Sequence, residues 1–474
     1  MTAPTNPPAW IRDAVFYQIF PDRFRNGDPS IDPVNVHTWG DAPTTTSFFG
    51  GDLAGVIEKF SYLLDLGINA IYFNPVFVSA STHHYDTYDY FRIDPRLGTM
   101  ETFHQLLDLA HQNSVRIVLD GVFNHCGRGF FPFHDLLENG PDSAYCDWFN
   151  VRGFPLYAYD SNHHPPNYDC WWNMPMLPKF NTRNPVVRQY LFSVARYWLE
   201  QGIDGWRLDV PNEIDDDSFW QGFRQLVKGI NPEAYIVGEI WHDGQRWLRG
   251  DQFDGITNYE LRSLLLEWLI EDKYRSLAFA HRIEDLLDRY RPETHFAQFN
   301  VLGSHDTERL MTLARGDLST VKILWLFLMT WPGAPCIYYG DEVGMMGGRD
   351  PDCRRCFPWE ESAWNHELRS HIKTLIRLRR ELPALRHGTV RILFAHPRQN
   401  LYAHGRGEGE EAVVMVVNAS DLPRIFDIPL REMKVPQGMV FVDRCRHRSY
   451  QEHYGRLERV RLPPRSGAIL ASVR

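Results

Sequence analysis

Gly205-Trp206-Arg207-Leu208-Asp209-Val210 is the stretch on which the reading of this chain turns. Its apolar and β-branched residues predict a short buried strand, with Gly202 and Gly205 punctuating the run and Pro211 ending it. Residues two apart on a strand share a face, so Arg207 and Asp209 project together. A carboxylate at the C-terminal end of a strand, beside a guanidinium, is kept ionised and in place, as a nucleophile must be. An isolated Arg-x-Asp is ordinarily a structural ion pair. Its company along the chain gives this one another meaning.

Outward from that strand, strand-like runs alternate with amphipathic helical ones. The runs fall at 14–20, 70–75, 116–123, 205–210, 235–240, 255–259, 297–302 and 335–339. Such a series with intervening helices predicts a closed (β/α)8 TIM barrel. The interval between the third and fourth runs is far longer than one helix needs. Residues 127–181 are rich in Pro, Asn, His, Tyr and Trp with little periodicity, which predicts an excursion subdomain over the barrel mouth. Beyond 383 the pattern turns to alternation, as in Ala412-Val413-Val414-Met415-Val416-Val417, and predicts a C-terminal antiparallel β domain. The expected organisation is a barrel built from 1–126 and 182–383, an excursion subdomain at 127–181, and a β domain at 384–474.

Composition narrows the function classes. With 474 residues the chain exceeds one ordinary domain, and 43% apolar residues supply a core. The 14% aromatic share suits sugar-binding surfaces as well as packing. A net charge of −10 argues against a nucleic-acid partner. The start, Met1 to Pro8, has neither a basic nor an apolar leader segment, and no run of eighteen apolar residues follows. The expectation is a cytoplasmic protein without a membrane partner. The seven cysteines are scattered, and the lone Cys353-Arg354-Arg355-Cys356 lacks a second pair for zinc, so they read as reduced thiols.

Polar residues collect at the ends of the strands: Asp120, Asn124 and His125 on the third, Arg207 and Asp209 on the fourth, Glu239 on the fifth, His305 and Asp306 on the seventh. In a barrel these ends meet at one face, where reactions happen. Crowded like charges cost stability, so such a cluster signals function. Two carboxylates flanking one bond suggest glycoside hydrolysis, one attacking and the other, with a raised pKa, protonating the leaving oxygen. Arg207 favours a charged Asp209, and Glu239 beside Trp241 has a partly apolar setting suited to a proton donor.

Asp120-Gly-Val-Phe-Asn-His125, Gly205-Trp-Arg-Leu-Asp209, Gly238-Glu239-Ile-Trp241 and Ser304-His305-Asp306 resemble, in order, the four signature segments of the α-amylase family of glycoside hydrolases. Leu177-Pro-Lys-Phe-Asn181 resembles a fifth, and the likeness runs from about Trp10 to the C-terminus. The resemblance implies Asp209 as nucleophile, Glu239 as general acid/base and Asp306 as transition-state stabiliser. It also implies His125, Arg207 and His305 around the cleaved sugar and Tyr85 stacking beneath it. Narrower motifs, Gly238 to Asp243, Tyr338 to Glu342 and Asp350 to Arg355, resemble the neopullulanase, cyclomaltodextrinase and maltogenic amylase group. That implies Asp350 and Arg354 gripping the non-reducing side and Trp241 lining the leaving-group side. The group's usual N-terminal β domain has no counterpart here, so oligomeric state stays open. Substrates are expected among α-glucan oligosaccharides and cyclodextrins, with cleavage of α-1,4 and also α-1,6 bonds. An exo-acting maltodextrin glucosidase and a non-catalytic binding subunit are the alternatives.

Asn26-Gly-Asp28-Pro-Ser-Ile31-Asp32 with Gly50-Gly-Asp52 gathers hard oxygen ligands suited to Ca2+, the alternative being a solvated turn. Some members of the group bind calcium at this place, so the resemblance makes Asn26, Asp28, Ile31, Asp32, Gly50 and Asp52 its candidate ligands, Ile31 through its carbonyl only.

Overall fold

The computed structural model describes residues 6–159 and 164–473, so the first residues read above for a leader lie outside the described residues. Parallel strands β1 (Phe16–Ile19), β2 (Ala70–Phe73), β3 (Arg116–Gly121), β4 (Gly205–Leu208), β5 (Tyr235–Gly238), β6 (Gly255–Ile256), β7 (Phe299–Val301) and β8 (Ala334–Tyr338) form one sheet. Its order is β6-β5-β4-β3-β2-β1-β8-β7, and a parallel bridge between Thr257 and Phe299 closes the cylinder. The strands are apolar throughout because a parallel sheet covered by helices is buried on both faces. Phe16, Tyr72, Val118, Tyr235, Val237 and Phe299 fill the interior. The strands are shorter than the apolar runs that mark them: β3 stops at Gly121, leaving Asn124 and His125 on the following loop, and Tyr259 already opens a helix. Gly205 is required by the sheet, since a Cβ there would lie 2.4 Å from the Tyr235 carbonyl oxygen.

Caps written in the sequence start the barrel helices. Thr99, Asn184, Asp216 and Asp317 accept the first free amides of Met100–Gln112, Pro185–Glu200, Asp217–Ile230 and Leu318–Thr330. The helix Leu318–Thr330 is nearly all buried between barrel and C-terminal sheet. Its last residues are buried, so their carbonyls need partners within the protein. Arg379 Nη1 donates to Met329 O and Trp331 O at 2.9 and 3.1 Å, and Arg406 Nη1 to Thr330 O at 2.5 Å. Two guanidiniums thus cap the negative end of that helix.

Eight antiparallel strands follow: β9 (Val390–His396), β10 (Leu401–Arg406), β11 (Val413–Asn418), β12 (Arg424–Pro429), β13 (Val440–Asp443), β14 (Ser449–His453), β15 (Arg456–Leu462) and β16 (Ser466–Val473). Their order is β9-β10-β11-β16-β13-β14-β15-β12. Alternation decides which side each residue serves. Met415, Val417, Ile469 and Ala471 join the barrel's core, while Val414, Val416, Ala468 and Leu470 make a second core with Phe441 and Val460. The expected boundary at 384 falls inside the helix Pro383–His387, and the first strand begins at Val390.

Between β3 and the helix Pro185–Glu200 the described residues make one helix, Phe131–Asn139, and short 3-10 turns. Isolated bridges pair His125 with Lys179, Phe149 with Phe180, Val151 with Tyr168, and Cys170 with Pro178. Phe133, Phe149, Tyr168 and Phe180 pack together beneath them.

Candidate active site

Register assembles the centre. Asp120 on β3 sits opposite Arg207 on β4, and Leu208 opposite Gly238 on β5, so Asp209 and Glu239 leave the sheet side by side. Arg207 is not a private partner of Asp209, as the sequence suggested. Its Nη1 reaches both Asp120 oxygens at 2.9 and 3.0 Å and Asp209 Oδ1 at 3.0 Å, while Nη2 lies 2.9 Å from Glu239 Oε1. One buried guanidinium serves three carboxylates, with Asp306 a fourth across the cleft.

That imbalance sets the protonation. Burial first, then the surrounding carboxylates against Arg207, pushes Asp209 well above the usual carboxylate range. Glu239 is raised for the same reasons, burial leading and Asp306 adding to it. The pair therefore shares a proton at a pH where free carboxylates have lost theirs. Arg207 does not by itself keep Asp209 charged, as the sequence suggested it would, and Asp209 is ionised when that proton lies on Glu239. Asp306 goes the other way. Its side chain is a third open to the cleft, and the opposing effect of burial is overcome by His305, Arg354 and Arg207, which hold it below the usual range.

Glu239 has two further contacts. Its Oε2 accepts from Val210 N at 3.2 Å and its Oε1 from Trp241 Nε1 at 3.2 Å. Val210, a β-branched residue, is held at φ 35, ψ 49 directly after Asp209, a strained conformation of the kind that clusters at functional sites. Trp241 is not core packing: it is 47% exposed, and its ring lies flat on Tyr259 with centroids 3.5 Å apart.

The remaining expected residues line the same cleft. Tyr85 O–H donates to Asp120 Oδ2 at 2.9 Å, and its ring stacks on His305 at 5.4 Å. His305 Nε2 lies 2.7 Å from Tyr85 Oη and 3.0 Å from Asp306 Oδ2. Arg354 Nη2 lies 3.2 Å from Asp306 Oδ1 and its Nη1 3.1 Å from Asp350 Oδ1, tying Asp350 to the centre. Burial pushes His125 down to about 3, so its ring is neutral, and its Nε2 has no hydrogen-bond partner.

Trp171 stacks on His125 at 5.3 Å, and Trp172 on Trp171 at 4.4 Å. Trp172 is 77% exposed and held at φ 49. These two are a stack of rings leading out of the cleft, whereas Tyr168, from the same aromatic stretch, is core. Three residues that the sequence reading passed over also belong here: Tyr72, whose O–H donates to Asp120 Oδ2 at 2.5 Å, and the amides Gln18 and Asn74. The signal was present, since Gln18 on β1 and Asn74 after β2 are polar residues at strand ends.

The candidate calcium ligands divide into two sets. Asn26 Nδ2 donates to both Asp32 oxygens at 2.9 Å, its buried Oδ1 has no partner, and a Cβ at Gly50 would fill the space of those two side chains. Asp28 caps Ser30, and Asp52 accepts from Gly27, Asp28 and Gly55 amides. The orphaned amide oxygen, the carboxylate and the side-chain-free Gly50 fit a hard cation.

Residues 18–368 match the family described as alpha amylase, catalytic domain, and residues 391–470 that described as neopullulanase-like, C-terminal domain. A cyclomaltodextrinase of Geobacillus thermopakistaniensis is 48% identical over 425 residues, covering 89% of this chain and 71% of that one. Neopullulanase 2 of Thermoactinomyces vulgaris is 47% identical over 414 residues, covering 87% and 70%. The cyclic alpha-maltosyl-(1→6)-maltose hydrolase of Arthrobacter globiformis, solved with that sugar, superposes with a TM-score of 0.89 at 40% identity, covering 98% of this chain and all of the other. The chain belongs to the α-amylase family of glycoside hydrolases, in the neopullulanase, cyclomaltodextrinase and maltogenic amylase group.

Proposed function

We propose that this hydrolase cleaves α-1,4-glucosidic bonds in cyclodextrins, maltooligosaccharides and pullulan, with retention of configuration. The observation that carries the reading is the Arg207 guanidinium, with Asp209 and Glu239 held on its two terminal nitrogens and Asp306 drawn to the opposite side by His305 and Arg354. Glu239 gives its proton to the leaving oxygen as Asp209 forms a bond to the anomeric carbon. Glu239 then takes a proton from water as that water displaces Asp209. Asp306, kept ionised, stabilises the positive charge that develops on the sugar ring. Tyr85, His125, Arg207 and His305 surround that sugar, Trp241 faces the leaving side, and Asp350 with Arg354 grips the other.

A second reading, hydrolysis of cyclic α-maltosyl-(1→6)-maltose, draws support from the end-to-end match with the Arthrobacter hydrolase. Product profiles at equal mass from β-cyclodextrin, that cyclic sugar, pullulan, maltotriose and starch separate the readings. Fastest turnover on cyclodextrin supports the first. Turnover confined to the cyclic maltosyl-maltose supports the second, and stepwise release of glucose alone identifies an exo-acting glucosidase. In fresh product NMR the α-anomer appears first; the β-anomer would refute retention.

Asn26 Oδ1, Asp32 and the chain at Gly50 would hold a Ca2+ that braces the loops over 26–52, whereas the expected ligands Asp28 and Asp52 are already held by Ser30 and by the Gly27, Asp28 and Gly55 amides. It stabilises and takes no part in the chemistry. We place the protein in the cytoplasm, where a reducing medium keeps seven unpaired cysteines as thiols. Cell fractionation tests this. Among the described residues no helix is long and apolar enough to cross a membrane.

A further inference from the structure

The polar groups behind the cleft form a chain in which each hydrogen bond fixes the direction of the next. Asp120 is its anchor. Its two oxygens accept from Arg207 Nη1, Tyr72 O–H and Tyr85 O–H. Since Tyr85 donates to the carboxylate, its oxygen is left to accept, and Asn74 Nδ2 donates to it at 3.0 Å. That turns the Asn74 amide so that Oδ1 faces Gln18, whose Nε2 donates to it at 3.0 Å. Gln18 Nε2 is then also the atom 2.9 Å from His305 Nδ1. An amide nitrogen has only protons to offer, so His305 Nδ1 must accept. The ring proton sits on Nε2, the nitrogen facing Tyr85 Oη at 2.7 Å and Asp306 Oδ2 at 3.0 Å. Gln18, Asn74 and His305 are all buried, so no water competes for these bonds.

We propose that Gln18 and Asn74 are positioning residues that lock His305 in its Nε2–H tautomer, so that a donor faces Asp306 and the sugar. With the proton on Nδ1 the opposite would hold. Nδ1–H would confront the Gln18 amide, and the Nε2 lone pair would confront the Asp306 carboxylate and the Tyr85 oxygen. The chain begins at the same Asp120 that shares Arg207 with Asp209 and Glu239, so one carboxylate sets both the guanidinium and the imidazole. The inference rests on the functional reading above only for its effect on rate; the tautomer itself follows from the hydrogen bonds.

Histidine-selective 15N labelling tests it, with the His305 signal assigned by its loss in His305→Gln. In the wild-type enzyme at neutral pH the His305 correlations should show Nε2 protonated and Nδ1 bare. Gln18→Glu places an acceptor opposite Nδ1 and should bring a proton there, with kcat falling about tenfold, the worth of one hydrogen bond to a charged group. Gln18→Leu should leave a mixture of tautomers, and it serves if the Glu variant does not fold. A wild-type spectrum with Nδ1 protonated, or an Nδ1 that stays bare in Gln18→Glu, overturns the proposal. Should the tautomer shift as stated while Asp209→Asn still hydrolyses glucan, the polarity chain stands and the assignment of the nucleophile falls.

Discussion

Replacing His404 by leucine should flatten the enzyme's sensitivity to acid. His404 lies on β10, facing the barrel, with no exposed surface and no hydrogen-bond partner on either ring nitrogen. The rings of Phe327, Trp331 and Tyr402 surround it at 5.3–5.8 Å. The Thr330 carbonyl, which alone favours a charged ring, is already bonded to Arg406. Burial, and then the Arg406 guanidinium, push the imidazole down to about 3. An unfolded chain carries an ordinary histidine near 6.5, so between those values the unfolded state binds the extra proton. The contribution is absent above pH 6.5 and grows as pH falls through the window. From pH 7.5 to pH 5 it costs about 2 kcal/mol, at about 1.36 kcal/mol per unit of unequal titration. Unfolding entropy of about 2.1 cal/mol/K per residue makes that about 2 °C in a chain of this length. Calorimetric melts of wild type and His404→Leu at both pH values read the difference. His125, His83 and His371, also pushed down, make both proteins acid-sensitive, so only the gap between them counts. The gap should widen by about 2 °C at pH 5. Parallel pH dependences would refute the reasoning.

Asp209→Asn and Glu239→Gln should each remove nearly all hydrolysis while melting at or above the wild-type temperature, because each relieves a cluster of four carboxylates around one guanidinium; near-normal turnover in either would sink the pair. Trp172→Asn suits the left-handed backbone better than tryptophan, a gain of about 1 kcal/mol that offsets the lost stack on Trp171, so the melting temperature should stay near wild type. If the ring stack holds sugar, the same variant should lower kcat/KM on maltooligosaccharides more than on maltotriose; equal losses would show the stack to be idle. If Ca2+ sits at Asn26 and Asp32, chelator should lower the melting temperature and leave activity intact below it. Finding no metal by elemental analysis of protein prepared with calcium would remove the site.

What the sequence by itself determined was local: which runs are strands, which residues end them, and where alternation replaces helical spacing. Those features depend on period and on turn residues, so Arg207, Asp209 and Glu239 could be placed at strand ends by inspection, while His305 and Asp306 lie on the loop beyond β7, which stops at Val301. The tertiary structure decided the pairings. Arg207 belongs to Asp120 and Glu239 as much as to Asp209 because inter-strand register, which no single run encodes, sets those strands beside one another. Gln18 meets His305, 287 positions away, only once the barrel closes between its first strand and its seventh and eighth. Spacing does not say whether Trp171 and Trp172 are core or cleft; in the fold Trp172 adopts a left-handed conformation and its ring is exposed. His404 lies within a strand whose residues are all buried, so the alternation was hidden, and its cost appears only where β10 meets the helix Leu318–Thr330. Periodicity tells a residue which way to face; closure of the barrel and the packing of its neighbours determine what it faces.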